Sequence, residues 1–308
     1  MVQDQSQPSI PSTRMLEGIG ILLLASFACG LPRYLVQEEP TRTPTPRIAI
    51  VLATTEVLAT VPTATATAHP TITVRANPSS TVVPSAFDID YAHPESYLIP
   101  GDQSRISDTS CLAELQTGEH SLAHLARIYR WLKNDFTNYS AGGRTIGVVD
   151  VDQLLAERRL GGCHDCGLVY AAVARALGYP TVMMHTNSIA WMERFQAGEG
   201  ELHVGHVFVE VYLDDRWMLV DPTNGWYVDA GYDPTDPVIP LKGSVAGSDE
   251  EAYGFYVECK GLDIWDFGVH SKEQTHQAMD ALAQRLDLTT IEYPAYVFQH
   301  FSELTGDG

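Results

Sequence analysis

At 308 residues and 44% hydrophobic composition, the chain is long enough for one large domain or two small ones with a substantial core. Its 39 acidic residues outnumber 19 basic ones, for a formal charge of -20, which argues against nucleic acid as a partner because phosphates are met by Lys and Arg. Acidity alone selects no substrate.

Residues 1–37 read as a signal or membrane-anchor segment. An apolar run with "ILLLASFAC" at its core follows Arg14 and is broken by Gly30, Pro32 and Arg33. A bilayer span needs about 20 apolar residues, whereas a secretory h-region needs roughly 7–15. Cys29 ends the run directly after Ala28, which resembles a bacterial lipoprotein signal and makes Cys29 the candidate lipid attachment, although Ser26 stands where that signal usually has leucine. A lipoprotein, a cleaved signal and an uncleaved anchor remain open. Each places the rest of the chain outside the cytoplasm, secreted or held at a membrane.

Residues 38–86 are dominated by Thr, Pro, Ala and Val ("PTRTPTP", "ATVPTATATAHPT"). They offer too little apolar surface to offset ordering entropy, so a disordered linker is expected.

The globular domain is expected over 87–308. Leu122, Leu125, Ala126, Tyr129 and Leu132 recur at helical spacing, predicting a helix over 121–134. Val151, Leu154, Leu155 and Arg158 predict a short second helix that stops at Gly161-Gly162. A third begins near Cys163, buries Val169, Ala172, Val173 and Ala176, and ends before Gly178-Tyr179-Pro180. Strands are expected at 181–184, 206–213 and 216–220, and a last helix at 272–286. Helices followed by strands and a closing helix indicate an α+β fold with an antiparallel sheet.

"GGCHDCG", residues 161–167, supports three chemistries. A redox dithiol at Cys163 and Cys166 would ordinarily follow a strand, yet "DQLLAERRL" before it is helical in pattern. A zinc site could draw on Cys163, Cys166, His164, His185, His203 and His206, with Cys163, Cys166, His203 and His206 the compact set. A nucleophile at Cys163 would gain from the helix N-terminus, and Gly161 and Gly162 would let another chain approach the sulfur.

The nucleophile needs a base and an orienter, and one hairpin supplies both. If "HVFVEVYL" turns through Asp214-Asp215 into "RWMLVD", Leu213 faces Arg216 and Phe208 faces Asp221. Alternation with period two then puts His206 and Asp221 on one face as diagonal neighbours, about 7–8 Å apart by Cα. Val207, Val209, Val211, Leu213, Met218 and Val220 take the other face, expected to be the core side, which leaves His206 and Asp221 on the non-core side. A one-residue slip would break the arrangement.

"GGCHDCGLVYAAVARALGYP" followed by "GHVFVEVYLDDRWMLVDPTNG" resembles the core of the transglutaminase-like superfamily. Arg175, Leu177, Gly178, Pro180, Glu210, Trp217 and Pro222 fall in register with that pattern. The resemblance implies a papain-like α+β fold with Cys163 as nucleophile, His206 as general base and acid, and Asp221 as its orienter. It also implies attack on a peptide or protein amide through a thioester that water or an amine resolves, with no cofactor and no metal. Tyr139 is the candidate for the family's upstream oxyanion aromatic. Cys166 replaces a common aromatic and Gly167 a common alanine, so Cys166 reads as a core residue. Hydrolysis is favoured over transfer to amines. A non-catalytic binding module of the same fold and the zinc site are the rival readings.

Smaller signals carry less. Arg158 and Arg159 read as a solvated helix end. Cys111 and Cys259 could pair in an oxidising compartment, residues 187–205 read as a loop bordering the cleft, and "DIWDFGVHS" carries no motif.

Overall fold

The computed structural model describes residues 88–139, 141–199, 202–244 and 251–304. The segment 1–37 with Cys29, and the linker 38–86, lie outside the described residues.

Two 3-10 helices, Pro94–Leu98 and Thr109–Leu115, precede helix α1, Leu122–Asp135. Ser121 starts α1 by accepting the His124 N–H at 3.2 Å, which satisfies one of the donors a helix N-terminus leaves open. Strand β1, Thr137–Asn138, is followed by α2, Val151–Glu157, and β2, Arg159–Leu160, which pairs with β1 in parallel. Helix α2 ends earlier than the glycine pair: Arg158 turns left-handed at φ 52°. Its guanidinium sits 5.0 Å from the ring centroids of both Trp131 and Phe136, so Arg158 is seated on aromatic rings and is not a purely solvated end.

Helix α3, Cys163–Ala176, is buried along almost its whole length and stops where Gly178 adopts φ +92°, the conformation that favours glycine after a helix. Strand β3 (Thr181–Ser188) leads into α4 (Ile189–Gln196), then β4 (Gly205–Leu213), β5 (Arg216–Asp221), β6 (Trp226–Val228) and β7 (Val238–Ile239). The pair β8 (Gly243–Ser244) and β9 (Glu251–Ala252) stands apart, before β10 (Phe255–Gly261), α5 (Lys272–Arg285) and β11 (Gln299–His300). Residues 187–205 thus contain a helix, with Trp191 and Met192 buried, where a cleft-side loop was expected.

Seven strands form one sheet in the order β11-β6-β5-β4-β3-β10-β7, and each neighbouring pair is antiparallel. The fold is α+β, with α3 packed on this sheet. The β4–β5 hairpin has the expected register, Leu213 opposite Arg216 and Val209 opposite Val220. Asp214 and Asp215 both take positive φ, 52° and 59°, as the tight two-residue turn matched to strand twist requires.

Val207, Val209, Val211, Leu213, Met218 and Val220 pack against α1, α2 and α3. The other face is also covered. Phe208, Met184 and Leu219 meet Trp191 of α4, Met279 and Leu282 of α5, and Phe255 and Val257 of β10. The expectation of a non-core face for His206 and Asp221 is therefore corrected: a second apolar layer buries it.

Two buried charges tie these layers together. Arg175 donates from Nε to Thr181 O at 2.9 Å, from Nη1 to Ser104 Oγ at 2.9 Å and from Nη2 to Leu262 O at 2.7 Å. Burial brings it down to about 10, with Asp263 opposing. Glu210 accepts from Lys260 Nζ at 2.6 Å and from Tyr91 Oη at 2.9 Å. Arg175 and Glu210 thus join α3 and β4 to neighbouring segments. Asp263 and Asp266 of "DIWDFGVHS" form a capping box, and Asp263 Oδ2 accepts from the Ser104 N–H at 2.9 Å, so that stretch fastens the N-terminal segment.

Candidate active site

Cys163 is the first residue of α3 and is partly exposed. Its N-cap, Gly162, has no side chain to cap the helix, so the first-turn N–H groups are left for what lies in front of the sulfur. Cys166 N–H donates to Gly162 O at 3.2 Å and enters the helix. Gly161 donates its N–H to Asp165 Oδ2 at 2.6 Å, and a β-carbon at 161 would fall 2.5 Å from Ala141 Cβ. The glycine therefore lets residue 141 press close beside the nucleophile's turn.

His206 opens the second position of β4 and Asp221 closes β5. Nε2 of His206 lies 3.0 Å from Oδ1 of Asp221. The approach is off the ring N–H direction, since neither imidazole nitrogen has a partner in linear hydrogen-bond geometry; it is an ion contact of the kind that tightens when substrate binds. The Cys163 side chain is a further neighbour of the ring.

Both groups are buried, His206 3% and Asp221 1% exposed. Burial pulls His206 down, but the Asp221 charge and close contact, with Cys163 adding, outweigh it and lift the imidazole to about 10. Burial likewise pushes Asp221 up, and the His206 charge with hydrogen bonds from Asn224 brings it below its ordinary value. The pair is held as imidazolium and carboxylate at neutral pH. Phe208 and Phe255 flank the imidazole, with ring centroids 4.8 and 5.6 Å away.

The structure thus brings Cys163, His206 and Asp221 together. Tyr139 lies just after β1, its ring 4.4 Å from the Arg159 guanidinium and its N–H bonded to Leu160 O at 2.9 Å. Cys166 is a core residue, 2% exposed, and burial pushes its thiol up to about 12. The zinc reading is corrected: His203 is engaged with Asp280 at 2.8 Å and stacks on His276 at 3.8 Å. Among the described residues, no three or more His, Cys, Asp or Glu side chains are arranged to hold a metal ion. His164 and His185 are neighbours at 5.2 Å, and burial keeps both uncharged, His164 well below its ordinary value and His185 at about 4. Cys111 and Cys259 are both free thiols, which corrects the suggested disulfide.

Three neighbours escaped the sequence. Asn224 donates from Nδ2 to Asp221 Oδ2 at 2.9 Å, and the N–H groups of Thr223 and Asn224 reach Oδ1 at 2.9 and 3.1 Å. An Asp followed two and three residues on by Thr and Asn is a turn signal that could have flagged this clamp. Tyr129 of α1 feels the Asp221 and Cys166 charges, though burial is the larger cause of its raised value. His300 braces the turn from β11 with no local motif to announce it.

Residues 110–222 match the profile described as the transglutaminase-like superfamily. A crystal structure of a proposed cysteine protease from Cytophaga hutchinsonii is similar at 19% identity and a TM-score of 0.40, over 58% of this chain and 50% of that one. The chain thus spans about half the length of that protein. No curated protein sequence matches it. The helix that begins at Cys163 and the hairpin that carries His206 and Asp221 both fall inside the matched segment, so it is over this part of the chain that the similarity to the transglutaminase-like superfamily runs.

Proposed function

We propose that this chain is a thiol enzyme that cleaves peptide or protein amides, with Cys163 as nucleophile, His206 as base and acid, and Asp221 as the group that holds the imidazole. The observation that carries the reading is the His206 imidazole, set 3.0 Å from Asp221 with the Cys163 side chain as a further neighbour. A cation beside a cysteine sulfur favours the thiolate, the form that attacks. Sγ adds to the amide carbonyl carbon, and the carbonyl electron pair moves onto oxygen. The uncapped N–H groups at the start of α3 face that charge.

Collapse expels the amine, which leaves with the proton from His206, and a thioester remains on Cys163. Water then gives a proton to His206 and attacks the thioester, the C–S bond breaks, and the acid departs as the thiolate–imidazolium pair is restored. The apolar run at 19–29 supports the further reading that this chemistry is done outside the cytoplasm, with residues 38–86 as a tether.

Intact-mass analysis of the protein mixed with a library of peptides and small amides tests the reading. The expected result is an acyl adduct on Cys163 that hydroxylamine removes, with free acid as product. Turnover that persists in Cys163→Ala, or a library left unchanged with no adduct, contradicts it. An amine in place of water as acceptor would leave the thioester and change only its fate.

A further inference from the structure

The turn that follows β5 is clasped from outside. Gly225 N–H bonds to Asp221 O at 2.8 Å and closes the turn, while Phe301 N–H donates to Gly225 O at 2.9 Å. His300 Nε2 lies 2.7 Å from Asn224 O. Its tautomer follows from the other nitrogen: Nδ1 accepts the Ser302 N–H at 3.1 Å, so the proton sits on Nε2 and is donated to Asn224 O. Phe301 is fully buried and stacks on Tyr227 at 4.9 Å and 17°, which anchors the strap. Gly225 has φ +80°, and a β-carbon there would fall 2.6 Å from Tyr129 Cζ, so only glycine lets the turn press against α1.

Both oxygens of Asp221 are thereby engaged. Oδ1 takes two backbone N–H groups and faces His206, and Oδ2 takes the Asn224 amide. Without that amide Oδ2 loses its clamp and the carboxylate is held through Oδ1. We propose that Asn224 and His300 are positioning residues: the strap formed by residues 299–304 grips Asn224 through His300, and Asn224 holds the Asp221 carboxylate against His206. The proposal rests on the reading of Asp221 as orienter given above.

The test uses the full chain and measures the rate of Cys163 alkylation by iodoacetamide, resolved by peptide mapping, across the pH range. Asn224→Ala removes one hydrogen bond to a charged group, so the rate at neutral pH should fall about tenfold. Its acid limb should also move to higher pH, because Asn224 helps keep Asp221 ionised. His300→Ala removes a neutral hydrogen bond one step away and should slow alkylation about threefold, whereas His300→Gln, whose amide N–H can reach the same carbonyl, should restore the rate and profile. If Asn224→Ala does not fold, His300→Ala against His300→Gln decides alone. Variants that melt earlier yet alkylate with the wild-type rate and pH profile overturn the proposal. An inert Cys163 in the wild type, or a rate unchanged in His206→Ala, overturns the functional reading instead.

Discussion

His206 Nε2 and Asp221 Oδ1 face each other at 3.0 Å between two apolar layers, with almost no water contact. In such a place the carboxylate is what keeps the imidazole charged. Removing its charge in Asp221→Asn should drop the His206 titration midpoint from about 10 to below the ordinary value of about 6.5, since burial then acts unopposed. Imidazole NMR across the pH range reads this directly; an unchanged midpoint would mean that the carboxylate does not control the ring.

Gly167 lets α3 pack closely on the sheet. An added β-carbon would fall 2.4 Å from Val207 Cγ1, itself in the packed core. Gly167→Ala should therefore destabilise the fold by about 1–3 kcal/mol despite its better helix propensity, as measured by urea unfolding. A more stable variant would show that the helix can back away without loss.

Glu258 of β10 is buried, and burial raises it to about 8, with an Asn187 hydrogen bond opposing. A carboxyl raised on folding contributes stability that is present below its unfolded value and lost as pH rises through about 8. Wild-type melting temperature should fall more steeply than that of Glu258→Gln as pH rises from the ordinary glutamate range to about 8, with no further divergence above it, and the two should converge in acid. Parallel curves would refute this account of Glu258.

Lys260 and Glu210 are fully buried at 2.6 Å. Lys260→Met leaves the Glu210 carboxylate in the core without its cation and should cost roughly 3–5 kcal/mol. Adding Glu210→Gln should recover part of the loss, because a neutral amide can still bond to Tyr91 and Tyr232, which donate to this side chain. Chemical denaturation of both variants checks the order.

Much of this arrangement was legible from local pattern. The apolar face of α1, the start of α3 at Cys163, and the parity of His206 and Asp221 across a two-residue turn all follow from periods of 3.6 and 2. The second apolar layer was not legible. In α5, "KEQTHQAMDALAQR", only Thr275, Met279, Leu282 and Ala283 are buried, too few to mark a packed face. Strand β10, "FYVECKG", buries Glu258 and Lys260 among its apolar residues and carries a register shift between Val257 and Cys259, so it shows no alternation. The brace from His300 depends on a contact across 76 positions, and no local window contains it.

The central claim is that a charged imidazole activates one particular sulfur. Alkylation with iodoacetamide near neutral pH, mapped over all five cysteines of the chain, tests it most directly. Cys163 should react far faster than the rest, and His206→Ala should bring it down to the level of an ordinary thiol. Slow and equal labelling of the accessible cysteines, or a Cys163 that reacts as fast without the imidazole as with it, would contradict the claim.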